Sequence, residues 1–259
     1  MKGADRNTRA STKVKRTVQE HQPVAKQDSP PSQIPLLATV IVPAYEEEKG
    51  LPVVLAKLVN TLKKGYEILV IDDGSDDGTS EVARRFPVRL VRHEHNKGKG
   101  EAIITGWKNA GSDRIIFIDA DDTYPVDIIP RMAEALGEYD MVIGSRRSGQ
   151  ENIPGFNRLG NFVFRTAIRK LYGFKPYDPL TGLWGIRKSQ LARCLPTVRR
   201  APDAEIAMKA ARMKLKMTDI PIVYSPRIGQ TKLNPFKGGW EHLKLIVTLL
   251  FWKPKKVSS

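Results

Sequence analysis

The chain has 259 residues, and its 43 Lys and Arg against 28 Asp and Glu give a formal net charge of +15. This length suits one large α/β domain plus extensions, and no window reaches the roughly 18 to 20 apolar residues of a membrane-spanning helix. The charge indicates acidic partners, which could be nucleotide phosphates, anionic lipid headgroups or nucleic acid. The single cysteine, Cys194, excludes an intrachain disulfide and favours a reducing compartment.

The first 35 residues are rich in Lys, Arg, Ser, Thr, Gln and Pro and hold almost no large apolar side chains. Such a segment cannot offset the entropy of ordering, so residues 1–35 are predicted to be a disordered basic tail. We also expect no secretory signal, because the N-terminus is polar. An α/β domain is predicted over residues 36–235, followed by an amphipathic C-terminal helix with a basic end over residues 236–259.

From residue 36 the chain alternates short apolar runs with amphipathic segments. The apolar runs are rich in β-branched residues and nearly uncharged, which predicts buried strands. Strands are predicted at 37–43, 67–71, 88–92, 114–119 and 140–144, and helices at 51–62, 81–86, 101–110 and 125–136. Strand, helix and strand repeated at this spacing predict an α/β fold with a mostly parallel sheet and right-handed crossovers.

Polar clusters follow four of these strands, at the sheet edge where ligands bind in open α/β sheets. The clusters are Asp72-Asp73-Gly74-Ser75, Asn96-Lys97-Gly98-Lys99-Gly100, Asp119-Ala120-Asp121-Asp122 and Ser145-Arg146-Arg147. The glycine and lysine loop precedes a helix, where backbone N–H groups can bind phosphate, but its spacing does not match the P-loop. Their common position at one edge predicts a single binding site.

Three of the acids, Asp119, Asp121 and Asp122, lie within four residues at the end of the fourth strand. Unpaired carboxylates so close together repel one another, which favours a divalent cation that carries phosphate oxygens. A solvated Asp-rich turn with helix-capping side chains is the alternative.

The segment after residue 147 contains a predicted helix at 157–172 with Arg158, Arg165 and Arg169 on one stripe. This helix either packs on the core with a solvated basic face, or lies on a membrane surface, or lines an anionic acceptor site. The turn-rich passage 178–185 forms either a pocket wall or a loop.

The last third of the domain is predicted to contain a short helix that begins at Asp203 and a strand at 216–224. The basic loop at 225–233 either closes over a diphosphate or is a solvated turn. Residues 240–252 are strongly apolar, with tryptophan next to lysine, so this helix either lies at the level of lipid headgroups or docks against the core.

Taken in order, these motifs resemble those of the inverting family 2 glycosyltransferases of the GT-A fold, and among them the dolichol- and polyprenyl-phosphate mannose synthases. The resemblance covers residues 38–251. Its motifs are Val42-Pro43-Ala44-Tyr45-Glu46-Glu47, Asp72-Asp73-Gly74-Ser75, Asp77-Gly78-Thr79, Asn96-Lys97-Gly98-Lys99-Gly100, Asp119-Ala120-Asp121, Gly144-Ser145-Arg146, and Arg227 with the segment from Gly229 to Leu233.

The resemblance implies a Rossmann-like sheet, a sugar-nucleotide donor and a role for each matching residue. The donor site would comprise Pro43, Tyr45, Glu47 and Asp73 around the base and ribose, together with Lys97, Asp119 and Ala120. Mg²⁺ or Mn²⁺ would be held by Asp119 and Asp121, with Thr123 in place of a glutamine ligand that mannose synthases commonly carry. The catalytic residues would be Asp121 and the phosphate-binding cations Arg146, Arg158, Arg227 and Lys232.

The implied reaction transfers a hexose of the mannose or glucose type from a GDP- or UDP-sugar to a polyprenyl or dolichyl phosphate, with inversion at C1. An ionised phosphate acceptor needs no strong general base. If the acceptor were instead a hydroxyl of a glycan or glycolipid, a base would be required, and Asp203 and Glu205 are the candidates.

The resemblance implies that a lipid acceptor is met at the cytoplasmic face of a membrane, through the helices at 157 and 240 or through a membrane-protein partner. A different class of function, a basic nucleic-acid-binding module, is suggested by the charge and the tail. The chain shows no RNA-recognition aromatic signature and no helix-turn-helix pattern, so we expect no nucleic-acid partner.

Overall fold

The computed structural model describes residues 36–149, 152, 155–199, 201–229 and 243–254, without the side chains of 155–157. The predicted tail at 1–35 and Lys232 lie outside these ranges, as do residues 236–242 and 255–259 of the predicted C-terminal helix. The predictions for them stay predictions.

Strands and helices alternate through most of the described chain. The strands are β1 (Ala38–Ala44), β2 (Tyr66–Asp72), β3 (Arg89–Arg92), β4 (Arg114–Phe117), β5 (Met141–Ser148), β6 (Trp184–Arg187) and β7 (Met217–Val223). The helices are α1 (Leu51–Thr61), α2 (Thr79–Arg84), α3 (Lys99–Asn109), α4 (Ile129–Ala135), α5 (Gly155–Tyr172), α6 (Lys188–Arg193) and α7 (Pro202–Arg212), and a last helix, α8, covers 243–249.

The seven strands form one sheet in the order β3-β2-β1-β4-β6-β5-β7. Every neighbouring pair is parallel except those that include β6, which runs antiparallel to both β4 and β5. The sheet with its flanking helices confirms the predicted α/β fold. The parallel strands β2, β3 and β4 therefore bring the polar clusters at their ends to one edge. The fourth cluster, Ser145-Arg146-Arg147, lies within β5, which extends beyond the predicted strand end at Gly144.

Strand β6 corrects the interpretation of residues 178–185 as only a turn-rich passage. A strand begins there at Trp184 and pairs with β4 and β5. Trp184 is 1% exposed, and its ring stacks on that of Phe117 with ring centroids 4.3 Å apart. Leu183 and Ile186 are also buried. The glycines indicated a turn, but the passage also contains a short strand that lies between β4 and β5 in the sheet.

The two faces of the sheet bury separate apolar clusters. Along β1, Ile41 contributes to the cluster under α3 and α7, whereas Val40 and Val42 contribute to the one under α1 and α4. Successive side chains of a strand point to opposite faces, so a strand covered on both faces must be apolar throughout. This explains why the strands read as continuous apolar runs.

Helix α8 docks against the core through one face. Leu245, Ile246 and Leu249 are buried, and the Tyr172 hydroxyl of α5 donates a hydrogen bond to the carbonyl of Ile246. Docking was one of the two alternatives for this segment, and the structure shows it for the described part. Among the described residues, no helix combines the length and the apolar character that crossing a bilayer requires.

Helix α3 approaches the sheet closely at Gly106. A Cβ at this position would lie 2.7 Å from Cγ2 of Ile41, which is fully buried. Because neither the strand nor the helix can move without disturbing the core, the contact requires glycine.

We expect Gly106→Val to lower the free energy of unfolding by about 1 to 3 kcal/mol, because it overpacks this contact. Urea denaturation measures the change. The matched control is Gly160→Ala in α5, where a Cβ meets nothing within 4 Å and helix propensity predicts a small gain. Equal effects of the two changes would show that the close approach does not constrain α3.

Candidate active site

The acidic turn after β4 lies at the sheet edge predicted from the strand order. Asp121 is only 4% exposed, and its Oδ1 accepts hydrogen bonds from the hydroxyl of Thr123 at 2.6 Å and from the Thr123 backbone N–H at 3.2 Å. Thr123 is fully buried, so its hydroxyl fixes the Asp121 carboxylate. A direct role for Thr123 as a metal ligand stays a prediction.

The third acid of the turn points elsewhere. Asp122 has a left-handed backbone, with φ of 63°, which aspartate tolerates better than most residues. Its carboxylate is paired with Lys57 of α1, at 2.6 Å and 2.7 Å. The turn therefore separates Asp122 from the pair formed by Asp119 and Asp121, which we call the carboxylate pair.

Two glycines let the backbone approach the carboxylate pair. A Cβ on Gly50 would lie 2.6 Å from the carbonyl oxygen of Ala120. A Cβ on Gly182 would lie 2.0 Å from Oδ2 of Asp119, so any side chain there would displace that carboxylate. Gly182 itself donates its N–H to the Tyr124 hydroxyl at 2.7 Å, which holds it in place.

Two cations from distant parts of the chain contact the carboxylate pair. Lys99, in the first turn of α3, donates to Asp119 at 2.7 Å and to Asp203 of α7 at 2.8 Å. Arg227 donates to Oδ2 of Asp121 at 2.6 Å and also to Glu47. These four interactions tie together segments that are far apart in sequence, and each carboxylate has one cationic partner.

The electrostatics of the pair favour a cation. Burial raises the pKa of the Asp121 carboxyl, and the neighbouring charge of Asp119 raises it further, although Thr123 and Arg227 act in the opposite direction. Burial by itself would lower the pKa of Lys99, but Asp119 and Asp203 outweigh it and the pKa is raised, so this ammonium stays charged. Lys99 and Arg227 therefore compensate the negative charge that the two carboxylates bring together.

The donor set fits a hard divalent cation that is shared with a phosphate ligand. Within the described ranges, no three His, Cys, Asp or Glu side chains converge as a metal cage. The protein therefore offers the oxygens of Asp119 and Asp121, and Mg²⁺ is usually held by one or two carboxylates together with substrate phosphates. This is the arrangement that the resemblance implies for Mg²⁺ or Mn²⁺.

Asp73 lies beneath the glycine and lysine loop and holds it. Its Oδ1 accepts the N–H of Lys97 at 2.9 Å, its Oδ2 accepts the N–H of Gly98 at 2.7 Å, and His93 Nδ1 lies 2.7 Å from Oδ1. Asp73 is 3% exposed. The structure thus gives it a role in positioning the loop, and contact with a nucleotide stays a prediction.

The segment after β1 is fixed on the loop after β2. Backbone N–H groups of Glu46 and Glu47 donate to the hydroxyls of Ser75 at 2.9 Å and Thr79 at 2.8 Å. Of the residues expected to bind base and ribose, Pro43 lies in β1, whereas Tyr45 and Glu47 lie on this fixed segment. Their proximity to Asp73 agrees with one pocket at the ends of β1 and β2.

Arg146 forms a buried ion pair that the sequence did not indicate. Its Nε and Nη2 donate to the two carboxylate oxygens of Asp178 at 2.6 Å and 3.1 Å, and Nη2 also donates to the carbonyl of Leu180 at 2.9 Å. Arg146 is 8% exposed. Arg158, by contrast, is exposed on α5, and binding of phosphate by either residue stays a prediction.

The two candidate bases differ in position. Asp203 contacts Lys99 and accepts the indole N–H of Trp184 at 2.8 Å, which places it beside Asp119. Glu205 is fully buried, pairs with Lys209 and accepts hydrogen bonds from Thr197 and Val198. Glu205 therefore stabilises the packing of α7, and a role for it as a base stays a prediction.

Two residues that form ion pairs in the candidate site were missed in the sequence. Lys99 belongs to the glycine and lysine loop, which was interpreted only as a phosphate site formed by backbone N–H groups. Its position between two glycines before a helix was the sequence signal that could have indicated a role for its side chain. Asp178 had no signal apart from its position in a turn-rich passage, because its partner Arg146 is 32 residues away.

The comparisons with known proteins agree with this geometry. The glycosyl transferase family 2 model matches residues 39–195. A dolichyl-phosphate hexose transferase of Haloferax volcanii is 33% identical over 202 residues, which cover 77% of this chain and 88% of that protein. A dolichol-phosphate mannosyltransferase of Pyrococcus furiosus is 32% identical over 230 residues, covering 83% of this chain and 64% of that protein.

Among solved structures, glucosyl-3-phosphoglycerate synthase from Mycobacterium tuberculosis, in complex with phosphoglyceric acid, superposes with a TM-score of 0.68 at 20% identity. The match covers 82% of this chain and 79% of that one. A second structure of that enzyme contains Mn²⁺ and uridine-diphosphate-glucose. At this level of identity the likeness shows the fold, and it confirms the predicted GT-A architecture.

We expect Asp178→Asn to lower the free energy of unfolding by about 3 to 5 kcal/mol, because it leaves the buried Arg146 charge uncompensated. Asp219→Asn is the matched control, since Asp219 pairs with Arg147, which is half exposed. That change should cost less than about 1 kcal/mol. Thermal and urea unfolding measure both variants, and equal small losses would contradict a structural role for the buried pair.

Proposed function

The chain belongs to glycosyl transferase family 2, and from this premise we propose that it transfers a hexose from a GDP- or UDP-sugar to a polyprenyl or dolichyl phosphate. The transfer inverts the configuration at C1 and depends on Mg²⁺ or Mn²⁺. The observation that supports the proposal most is the carboxylate pair at the sheet edge, in which Asp121 is buried and each carboxylate is matched by one cation.

The carboxylate pair would hold the metal, and the bound ion would neutralise charge on the diphosphate as it leaves. Asp121 is oriented for this by Thr123, and Asp119 is oriented by the close approach of Gly182. Both carboxylates are held by side chains or backbone that are themselves buried. Such preorganisation lowers the cost of assembling the site when the donor binds.

Lys99 and Arg227 would supply the remaining positive charge for the donor diphosphate. Arg227 lies on a loop that is fixed to the acidic turn, because the N–H of Ile228 donates to the carbonyl of Asp121 at 3.0 Å and that of Ser225 donates to Thr123 at 3.0 Å. A guanidinium held there can donate to phosphate oxygens without a large rearrangement of the loop.

A phosphate acceptor agrees with the names of the two curated relatives and with the cationic side chains near the site. The acceptor oxygen is already ionised, so the chain needs cations to bind it and no strong base to activate it. Arg146, Arg158, Arg227 and Lys232 are proposed for binding the acceptor and the leaving diphosphate. A lipid acceptor places the reaction at a membrane surface, for which we propose the cytoplasmic face.

A hydroxyl acceptor on a glycan or glycolipid is the second candidate, and the position of Asp203 is the observation that favours it. Lys99 donates to both Asp203 and Asp119, so the two carboxylates lie close together. A hydroxyl bound there could give its proton to Asp203. The two candidates differ in whether Asp203 takes part in a proton transfer.

We expect Asp121→Asn to reduce hexose transfer by at least about 100-fold, because it removes a ligand of the metal ion whose charge would stabilise the departing diphosphate. The fold should be retained, since asparagine has the same shape and burial already disfavours the charged carboxylate. Transfer of labelled sugar from GDP-mannose or UDP-glucose to a polyprenyl phosphate measures the loss.

The matched control is Asp122→Asn in the same turn. Asparagine tolerates its left-handed backbone, and only the contact with the half-exposed Lys57 is lost. Mn²⁺ together with the nucleoside diphosphate should raise the melting temperature of the wild type and of this control, but not of Asp121→Asn. Equal turnover by the two variants would refute the metal assignment.

We expect Asp203→Asn to keep activity within about tenfold of the wild type if the acceptor is a phosphate, since no base is needed. If Asp203 were a general base, Asp203→Asn would instead reduce the transfer activity by about 100- to 10,000-fold and abolish the acidic limb of the pH profile. The pH dependence of kcat/KM separates a base from a residue that only positions Lys99. Loss of that limb would favour the hydroxyl acceptor.

A further inference from the structure

The backbone of the glycine and lysine loop is occupied by bonds within the protein. The N–H groups of Lys97 and Gly98 donate to the carboxylate of Asp73. The N–H of Gly100 donates to the carbonyl of Arg199 at 3.3 Å. Because these three N–H groups already have partners, the loop acts on the site through a side chain and not through its backbone.

Lys99 is the side chain that the loop directs to the carboxylate pair. Its ammonium donates to Asp119 at 2.7 Å and to Asp203 at 2.8 Å. The lysine stem is flexible, so the ammonium meets both carboxylates only while the backbone beneath it stays in place. That backbone lies between Gly98, whose φ is 94°, and Gly100. Because glycine is the most flexible residue, this stretch needs support from outside the loop.

Such support comes from residues 197–199, which precede α7 and which we call the clamp. The guanidinium of Arg199 donates from Nη2 to the carbonyl of Asn96 at 3.0 Å and to the side-chain Oδ1 of Asn96 at 2.9 Å. A Cβ on Gly100 would lie 2.1 Å from the carbonyl oxygen of Val198. The clamp therefore contacts both the first and the last residue of the loop.

The clamp is itself anchored on α7. Glu205, which is fully buried, accepts the N–H of Thr197 at 2.8 Å, the hydroxyl of Thr197 at 2.7 Å and the N–H of Val198 at 3.1 Å. Lys209 is 3% exposed, pairs with Glu205 at 2.6 Å and donates to the carbonyl of Leu195 at 2.7 Å. Breaking a buried ion pair is strongly destabilising, so this pair gives the clamp a rigid support.

We propose that Arg199 is a positioning residue, which holds the glycine and lysine loop so that the Lys99 ammonium stays between Asp119 and Asp203. Arg199 would act through Asn96 and not by contact with the substrate. The inference rests on the proposed function, in which Lys99 supplies positive charge for the donor diphosphate. Since α7 carries Asp203 and also anchors the clamp, one helix fixes both a partner of the ammonium and the backbone from which the lysine extends.

The experiment compares Arg199→Gln with the wild type in steady-state transfer from GDP-mannose or UDP-glucose to a polyprenyl phosphate in detergent. Charge grows on the diphosphate as it leaves, so a displaced Lys99 lowers kcat more than it raises the KM of the donor. We expect kcat to fall by about tenfold or more while the KM of the donor stays within about threefold of the wild type. Because Arg199 is exposed, the melting temperature should change little.

The matched control is Arg193→Gln at the end of α6, outside the clamp. It makes the same chemical change, and Arg193 also donates to a side-chain amide oxygen, that of Gln190, at 2.9 Å. We expect this variant to keep kcat within about twofold of the wild type.

A second background tests whether Arg199 acts through the lysine. In Lys99→Met the ammonium that Arg199 positions is gone, so the effects of the two changes should not add. Introduced into Lys99→Met, Arg199→Gln should therefore change kcat by less than about twofold.

Amide hydrogen exchange tests the clamp without donor or acceptor. Arg199→Gln should speed the exchange of the amides of Lys97, Gly98 and Gly100, because the bonds that protect them open more often, whereas Arg193→Gln should not. Faster exchange in a protein whose wild type transfers no hexose would refute the proposed function and not the clamp.

Three results would overturn the positioning role. Exchange and kcat that match those of Arg193→Gln would show that Arg199 is a solvated surface residue. A raised KM of the donor with unchanged kcat would make Arg199 a direct ligand of the donor. An undiminished loss in the Lys99→Met background would show that Arg199 acts by a route other than the ammonium.

Discussion

The mutual repulsion of two neighbouring carboxylates, of which Asp121 is buried and Asp119 half-buried, is the constraint on which the site depends. Asp119 and Asp121 follow a central strand, and each is stabilised by one cation from another segment, Lys99 or Arg227. Through these cations the pair also fixes Asp203 and Glu47. Five segments, which are the acidic turn, the loops after β1 and β7 and the first turns of α3 and α7, therefore converge because they share charges. The sheet beneath them is held by backbone hydrogen bonds and apolar packing.

Much of this arrangement could be predicted from the sequence, because its causes are local. A strand buried on both faces must be apolar throughout, so the apolar runs revealed β1, β2 and β4. Parallel strands place their carboxyl ends together, so Asp73 and Asp119 could be assigned to one edge before any coordinates were known. The family motifs then gave each residue an expected role, and the fold and the family are confirmed.

The remainder depends on contacts between residues that are distant in sequence. Strand β6 was interpreted as part of a turn-rich passage because Gly182 precedes it and Gly185 lies within it. The partner of Trp184 in ring stacking, Phe117, lies far upstream in the sequence. Lys99 and Asp203 are 104 residues apart, and no local sequence pattern indicates their ion pair. The family motif separated Asp122 from Asp119 and Asp121, but no local pattern indicated its left-handed backbone or its ion pair with Lys57.

The two glycines beside the carboxylate pair are constrained for different reasons, although neither has a left-handed backbone. A side chain at Gly50 would collide with the main-chain carbonyl of Ala120, which cannot move without the turn. At Gly182 it would collide with the end of the flexible Asp119 side chain, which can rotate away. In a mutant library, selection for folding alone would therefore deplete substitutions at Gly50 and tolerate alanine at Gly182, whereas selection for turnover would deplete both. Comparing the two selections would separate the part of the site that evolution keeps for stability from the part that it keeps for chemistry.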